Sequence, residues 1–428
     1  MERFRVPVQR WMRSSSFRSL GPLTNPVRSL GLLLVVGWLG CAGDYLARTR
    51  GVRQAYESND YPRALSLLDG EAKGPELDRL LILMDRGMIL HSAGKYQESI
   101  AALAEADRLS QQLDVVSVSE EAKALLSNER QRAYRGEDFE KLMISVLQAL
   151  NYAELGRDDD ALVEVRRVNE RLRKMVVDEK KPYEQLAIAR YLGGVLYEDQ
   201  EEWDSAFIDY QAAQKLQPRL GSLAEPLIRL AKLTDRLDAY RELKQKYPEI
   251  EERPLGRDEG QAVVIIEAGR SPEKQSTQRE YQPGKLVDLP VYRDRWFPAS
   301  ASVQVGGDVR TAVTVTSIQE VAKVHLSDRT GRMLAKSLAG TAAKAGVAAG
   351  AGAATKSEAV GVVTFLLLSA LTAADLRSWL SLPAEFQVAR FRLSPGHYRV
   401  KIQLRGATTE REIEVRPRRV ALSVARIY

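Results

Sequence analysis

Cysteine and histidine are scarce in this sequence: Cys41 is the only cysteine among 428 residues, and the histidines are His91, His325 and His397. No disulfide can form within the chain, and no cluster of zinc ligands is available. The metalloprotease pattern HExxH, the nucleophile elbow GxSxG and the phosphate loop GxxxxGK[ST] are also absent. We therefore expect no enzyme activity, no cofactor and no metal.

Positive charge is concentrated at the start of the chain. Residues 1–40 contain six arginines and one acidic residue, which accounts for +5 of the net charge of +6. The remaining body is nearly neutral and lacks the basic surface that nucleic-acid binding requires. We expect no nucleic-acid partner.

An apolar stretch, Leu30–Leu39, follows the basic segment and ends among small residues around Cys41. A basic start, an apolar middle and a small-residue cleavage site are typical of an export signal. The stretch is shorter than the roughly 20 residues of a membrane-spanning helix. We predict that residues 1–40 are a lipoprotein signal peptide and that Cys41 carries the lipid. Plain cleavage after Ala42, or an uncleaved anchor, is the alternative.

The sequence Trp38-Leu39-Gly40-Cys41 resembles the bacterial lipobox, although Trp38 stands where leucine is usual. Ala42 after the cysteine, rather than aspartate, resembles the pattern of proteins sorted to the outer membrane. The expected location is therefore the cell envelope, facing the periplasm and lipid-anchored, with the outer membrane favoured.

Residues 41–248 carry a recurring pattern of small and aromatic residues. The repeat containing Gly87, Gly94, Tyr96 and Ser99 has the spacing of a tetratricopeptide repeat. Small residues let two helices approach closely, and a glycine turns the chain between them. Further copies in the same frame contain Asn59, Tyr61, Ala64 and Leu68; Ala149, Tyr152, Gly156 and Ala161; and Gly194, Tyr197, Trp203, Ala206 and Tyr210. The pattern predicts an all-α helical repeat array, because such units bury their apolar faces only by stacking.

The first helix of each pair usually lines the concave, partner-binding face of such an array. This frame places on that face Met84, Met88, His91, Val146, Leu150, Glu154, Tyr191, Val195, Glu198 and Asp199. Two interpretations stay open. The residues bind a protein or peptide partner in the envelope, or they pack against a neighbouring part of the same chain.

After a polar linker at residues 249–261, residues 262–428 have short β-type patterns. Strands are expected at Ala262–Glu267, Val303–Val305, Ala312–Val315 and Lys323–Leu326. Two hairpins are expected at the end, with turns at Pro395-Gly396 and Arg405-Gly406; their strands are Phe386–Leu393, Tyr398–Leu404, Glu410–Val415 and Val420–Tyr428. The predicted fold class is therefore α+β and multidomain, with a β-sandwich-like second domain.

An alanine- and glycine-rich helical hairpin is predicted as an insertion at about 335–380. Residues 335–354 contain a GxxxG spacing at Gly346 and Gly350, and residues 359–374 carry no charge. Small residues at this spacing allow close helix packing in lipid. Each segment is too short to span a membrane alone, so burial within the fold is the favoured interpretation and membrane insertion the alternative.

Two further groups have conspicuous chemistry. Ser271 and Lys274 match the SxxK pattern of serine hydrolases, but the KTG element that accompanies it is absent. Asp375, Arg377 and Trp379 could form a binding site, although a helix end locked onto the β-domain is the favoured interpretation.

Several ordered segments resemble an uncharacterised family of bacterial tetratricopeptide lipoproteins. They are Phe139–Met143, Ala149–Tyr152, Ala161–Glu164 with Arg166-Arg167, Gly269 with Pro272–Lys274, Leu289–Tyr292, and Ala374–Trp379 with Leu382-Pro383. The resemblance implies an envelope location and a role in envelope assembly, and it brings no catalytic residues.

The sequence thus favours a membrane-anchored scaffold for protein–protein interaction. An accessory factor for cell-wall synthesis or secretion is a narrower alternative. A serine hydrolase acting through Ser271 and Lys274 is the alternative from another class.

Overall fold

The computed structural model describes residues 45–74, 76–114, 133–178, 186–251, 253–282, 285–328 and 375–428. Tyr45–Tyr428 form one compact unit. The predicted signal peptide, Cys41 and residues 335–374 of the predicted insertion lie outside the described residues. Within the described ranges, no helix is long and apolar enough to cross a membrane.

The amino-terminal part is rich in helices, as predicted. The helices are α1 Tyr45–Arg48, α2 Arg50–Glu57, α3 Tyr61–Glu71, α4 Arg79–Ser92, α5 Tyr96–Asp114, α6 Asp138–Glu154, α7 Asp158–Arg173, α8 Ala187–Asp199, α9 Trp203–Leu216, α10 Ala224–Leu233 and α11 Leu237–Lys246. Short 3₁₀ turns at Glu76–Asp78 and Gly221–Leu223 precede α4 and α10, and a π-helical turn at Lys174–Asp178 follows α7. Consecutive helices pack in pairs: α2 with α3, α4 with α5, α6 with α7, α8 with α9, and α10 with α11.

Small residues bring α4 and α5 together. A Cβ atom on Gly87 would collide with the Leu103 side chain of α5. The Ser99 hydroxyl donates to the carbonyl of Gly87 at 2.7 Å. Gly94, in the turn between the two helices, has a φ of +74°, a conformation that glycine adopts without steric cost. The repeat frame of the sequence therefore has a steric basis in this pair.

The carboxy-terminal part contains the sheets. The strands are β1 Gly260–Ala268, β2 Glu273–Gln282, β3 Lys285–Arg293, β4 Ser302–Val305, β5 Asp308–Thr311, β6 Val313–Ser317, β7 Glu385–Leu393, β8 Gly396–Leu404, β9 Ala407–Val415 and β10 Val420–Ile427. One four-stranded sheet has the order β10-β1-β7-β6, another has the order β5-β4-β8-β9, and β2 pairs with β3. β1 runs parallel to β10 and antiparallel to β7.

Strand β1 divides the apolar core into two clusters. Val263 and Ile265 belong to the cluster that contains the helix side chains. Val264 and Ile266 belong to the cluster shared with the sheet β5-β4-β8-β9. Successive side chains of a strand point to opposite faces, so both faces of β1 are covered. This explains why the strand is a continuous apolar run rather than an alternating one.

The predicted strand at Lys323–Leu326 is wrong, because residues 318–328 are helical. Ile318, Ala322 and Leu326 are all buried, and their spacing of four residues is that of one helix face. Val321 and Val324 favour a strand, but the apolar spacing of residues 318–328 is that of a helix.

One of the two predicted hairpins forms, and the other is wrong. Strands β8 and β9 pair around Arg405-Gly406 as predicted. The turn at Pro395-Gly396 instead carries the chain from β7 in one sheet to β8 in the other, and β10 pairs with β1. Pairing partners that are distant in sequence leave no local signal in turn residues.

Candidate functional site

The predicted concave face is covered by the chain's own sheet. Nine of its residues are buried, and Glu154 is half-buried. The apolar members on α4, α6 and α8 share a cluster with Val263 of β1, Phe386 of β7 and Val424 of β10. The structure therefore favours packing against a neighbouring part of the chain, and partner binding through this face stays a prediction.

The polar members of the face bond to groups of the sheet. His91 Nε2 lies 3.2 Å from Glu267 Oε1 of β1. Asp199 accepts a hydrogen bond from the backbone N–H of Val420 at 2.6 Å, and Glu154 accepts one from Val424. These carboxylates occupy donors on the outer edge of β10, which would otherwise be open to another strand.

Glu198 is the centre of a buried ionic network. Its carboxylate accepts hydrogen bonds from Arg390 of β7, from Arg229 of α10 and from Gln261 of β1, the last at 2.8 Å. Arg390 also donates to the Tyr210 hydroxyl at 2.8 Å. Burial raises the pKa of Glu198, but the two arginines outweigh it and hold that pKa at about 2. The carboxylate is therefore ionised and neutralised inside the protein.

Helices α4, α6 and α8 pack against the sheet β10-β1-β7-β6, and we call this region the seam. Its polar helix residues are His91, Glu154, Glu198 and Asp199. Burial lowers the pKa of His91, but the Glu267 carboxylate outweighs it and raises that pKa above its ordinary value. Each of these polar helix residues has a partner on the strands.

The Asp375–Trp379 segment is bound both to the helices and to strand β2, and no helix is present over these residues. Arg377 forms ion pairs with Asp78 at 3.0 Å and with Asp375 at 2.8 Å. The Trp379 side chain is fully buried, and its backbone N–H donates to Glu140 of α6 at 2.7 Å. Burial, together with the nearby Glu137 carboxylate, raises the pKa of Glu140 to about 7. The segment therefore connects the helices with β2, and the predicted helix end is not present.

Ser271 and Lys274 lack the geometry of a serine–lysine catalytic pair. Lys274 lies on strand β2, and Ser271 precedes that strand, whereas the catalytic pattern places its serine at a helix start. Lys274 Nζ lies 2.5 Å from Glu137 Oε1 and donates to the carbonyl of Arg377 at 3.0 Å. The Ser271 hydroxyl is buried against the carbonyl of Pro272. Through these contacts, Lys274 links strand β2 to the start of helix α6 as a structural cation.

A cleft of about 660 Å³ lies at one end of the contact between helices and strands. The turns before α3 and α5 form one wall, and the start of β9 and the end of β10 form the other. Its charged and aromatic lining residues are Glu57, Tyr61, Tyr96, Arg411, Arg426 and Tyr428. We call this region the cleft. Its volume lies within the roughly 300–1,000 Å³ of small-ligand sites.

The cleft has an excess of positive charge. Within the described residues, Arg411 and Arg426 form no ion pair with a carboxylate; Arg411 donates to the Val424 carbonyl at 3.2 Å, and Arg426 to the Glu267 carbonyl at 2.7 Å. The acidic lining residue Glu57 is already neutralised by Arg270 at 2.9 Å and Arg295 at 2.7 Å, neither of which lines the cleft. Neither arginine therefore has a carboxylate within ion-pair distance in the described residues, although Glu267 on β1 is the strand neighbour of Arg426.

The tyrosines of the cleft act as hydrogen-bond donors and as ring surfaces. Burial raises the pKa of Tyr61 to about 12 and that of Tyr96 further above its ordinary value, so both hydroxyls keep their protons. The Arg426 guanidinium lies over the ring of Tyr428 at 4.2 Å from its centre. A ligand with a negative charge and a flat or apolar group matches this lining.

Sequence reasoning did not find the cleft, although one signal was available. On β10, Val420, Leu422 and Val424 pack against the helix cluster, and Arg426 occupies the next position on the same face. A charged residue on the buried face of a strand requires a partner or a function. Its neighbours in the cleft come from distant parts of the chain, which no local pattern connects.

No protein-family model matches the chain, and no curated protein matches it either. Among solved structures it is similar to MamA AMB-1, with 14% identity, a TM-score of 0.31, and coverage of 47% of this chain and 88% of that one. It is also similar to MamA MSR-1, with 14% identity, a TM-score of 0.28, and coverage of 47% and 96%. At TM-scores this low, the function has to be argued from the chain's own residues.

Proposed function

We propose that this chain is a lipid-anchored scaffold of the bacterial envelope that binds a protein partner and catalyses no reaction. The observation that carries the binding role is the cleft, an open cavity between the helices and the strands whose lining includes Arg411 and Arg426. The concave face is packed against the chain's own sheet, so we place the partner site in the cleft instead. The contacts of Lys274 with Glu137 and Arg377 support the absence of serine-hydrolase chemistry.

The proposal includes a finer description of the fold. Helix pairs in the predicted frame, with Gly87 packed against Leu103, support a tetratricopeptide-type array. The apolar cluster shared by the two four-stranded sheets supports a β-sandwich. The seam joins these two parts, so a partner bound to the cleft would contact both.

The anchor is the second part of the proposal. The compact unit begins at Tyr45, four residues after Cys41. Removal of residues 1–40 would therefore leave all of the described elements intact. Stable attachment needs more than one acyl chain, which a triacylated Cys41 would provide. Ala42 after the cysteine supports the outer membrane as the location.

The anchor is tested by metabolic labelling with a lipid precursor. We expect the wild-type chain to be labelled and recovered in the outer-membrane fraction, and the Cys41→Ser variant to be unlabelled. Equal labelling of both chains would reject lipidation at Cys41.

The scaffold role is tested by site-specific photocrosslinking in intact envelopes. A photoreactive residue replaces Thr408, which is exposed in the cleft, or Asp238 on α11, which is exposed far along the helices. We expect Thr408 to capture one defined protein, identified by mass spectrometry, and Asp238 not to capture it. The same proteins captured from both positions, or none from Thr408, would argue against the cleft as the partner site.

A further inference from the structure

We propose that the ligand of the cleft is an acidic peptide segment, bound through a carboxylate that neighbours an aromatic or aliphatic side chain. This inference rests on the proposed function only in using the same cleft. It follows from three features: fixed cations with no carboxylate at ion-pair distance in the described residues, aromatic walls, and a volume suited to a few side chains.

The first feature is a pair of cations held in place from behind. Arg426 is buried, and it donates to the carbonyls of Glu267 at 2.7 Å and Gly269 at 2.5 Å. Arg411, half-buried on β9, donates to the carbonyls of Val424 and Glu410, each at 3.2 Å. Neutral carbonyls orient a guanidinium but leave its charge in place. A carboxylate supplied by a ligand completes the charge-assisted pairs that such groups prefer.

The nearby carboxylates have contacts other than Arg411 and Arg426, although Glu267 on β1 is the strand neighbour of Arg426. Glu57 lies between Arg270 and Arg295. Glu267 lies 3.2 Å from His91 Nε2, and Glu154 accepts the backbone N–H of Val424. The positive charge of the cleft is therefore not cancelled by an acidic side chain within hydrogen-bond reach of Arg411 or Arg426 among the described residues.

The aromatic walls specify what accompanies the charge. The Tyr56 and Tyr61 rings have centroids 6.0 Å apart, and the Tyr56 and Tyr428 rings 5.6 Å apart. Tyr61 and Tyr428 line the cleft, together with Ser92, Thr408 and Thr409. Rings favour an aromatic or aliphatic group, and the hydroxyls suit peptide N–H and C=O groups. An acidic peptide supplies all three components in one short segment.

Binding is measured by calorimetry on the full chain in detergent, with two peptides that differ in one group. They are acetyl-Phe-Glu-amide and acetyl-Phe-Gln-amide. We expect the glutamate peptide to bind at least tenfold more tightly, with an affinity that falls as salt rises. Equal affinities, or no binding of either peptide at millimolar concentration, would overturn the proposal. Phenylpropionate separates a peptide from a free carboxylate: if it binds as tightly as the glutamate peptide, the peptide assignment fails.

Three variants locate the site. Arg411→Gln should reduce the affinity for the glutamate peptide to that for the glutamine peptide, and Arg411→Lys should keep part of the difference. Arg399→Gln is the matched control, since its side chain on β8 is 71% exposed and lies outside the cleft. Unchanged peptide affinity in a folded Arg411→Gln variant contradicts the proposal. Peptide binding needs neither anchor nor partner, so retained binding with failed crosslinking would reject the scaffold role alone.

Discussion

The seam and the cleft are both places where helices meet strands, and they handle charge in opposite ways. In the seam, Glu198 is paired with Arg390 and Arg229, and Asp199 is paired with Arg419 and the N–H of Val420. In the cleft, Arg411 and Arg426 have carbonyl partners but no carboxylate in the described part of the chain. In the seam, where carboxylates and arginines are paired, the helices and the sheet are in direct contact. In the cleft, where the two arginines lack such pairs in the described residues, a cavity separates them.

This difference separates structural charge from functional charge. A buried ion pair is costly to desolvate, and it is tolerated only when its partners and hydrogen bonds are complete. The seam meets that condition at Glu198. In the described residues no carboxylate lies within ion-pair distance of Arg411 or Arg426 in the cleft, so solvent or a ligand can complete their charge. The predicted concave face of the helices is here packed against the chain's own sheet.

The largest expected effect is the loss of Arg390 from the seam. Arg390→Gln leaves Glu198 buried with one arginine fewer, and removal of one partner from such a network costs about 3–5 kcal/mol. We expect the free energy of unfolding in urea to fall by this amount. The control is Lys95→Gln, which removes an exposed ion pair with Glu98 at 3.5 Å and should change the free energy by less than about 1 kcal/mol. Equal effects of the two substitutions would show that the seam is not held by its ion network.

The sequence predicted the elements of the seam but not their pairing. Periodicity and small residues such as Gly87 predicted the helix pairs, and the apolar run at Ala262–Glu267 predicted the buried strand β1. The frame also selected Glu198 and Asp199 as residues of the inward face. Which surface covers that face depends on contacts such as Glu198 with Arg390, across 192 positions of the chain. Local patterns carry no information on such contacts.

The same limit explains the errors in the strands and in the site. The prediction placed Lys323–Leu326 in a strand, although Ile318, Ala322 and Leu326 have the spacing of one helix face. The cleft joins turn residues of the helices to Arg411 and Arg426 of the last strands, so it exists only in the folded chain. Among the cleft residues, only Arg426 gave a signal in the sequence, because it is a cation on the apolar face of a strand.

A smaller effect is expected from the carboxylate that covers the edge of β10. Asp199→Ala leaves the Val420 N–H without its acceptor and removes the pair with Arg419. An unsatisfied buried donor costs about 1–3 kcal/mol, so the free energy of unfolding should fall within that range. Asp204→Ala, which removes an exposed pair with Arg236 at 2.8 Å, is the control and should cost less. A loss as small as that of the control would mean that water replaces Asp199 at the edge.

The His91–Glu267 pair gives the seam a pH dependence. The folded-state pKa of His91 is raised by Glu267 above its ordinary value near 6.5. Its contribution to stability is therefore complete below the ordinary value and is lost as the pH rises through the raised one. We expect the difference in unfolding free energy between wild type and His91→Gln to shrink from pH 6 to pH 9. A difference that grows with pH would contradict the assignment.

The smallest expected effect on stability is at Arg411, and its smallness is what separates the two regions. Arg411→Gln is chemically the same substitution as Arg390→Gln, but it breaks no ion pair in the described residues and removes two hydrogen bonds of 3.2 Å at a half-buried side chain. The free energy of unfolding should therefore change by less than about 1 kcal/mol. A loss of unfolding free energy in the range expected for Arg390→Gln would show that Arg411 is a structural charge like those of the seam. Arg411 would then not be a cation without a partner. A small loss in stability, combined with loss of peptide binding, would indicate that Arg411 serves ligand binding rather than folding.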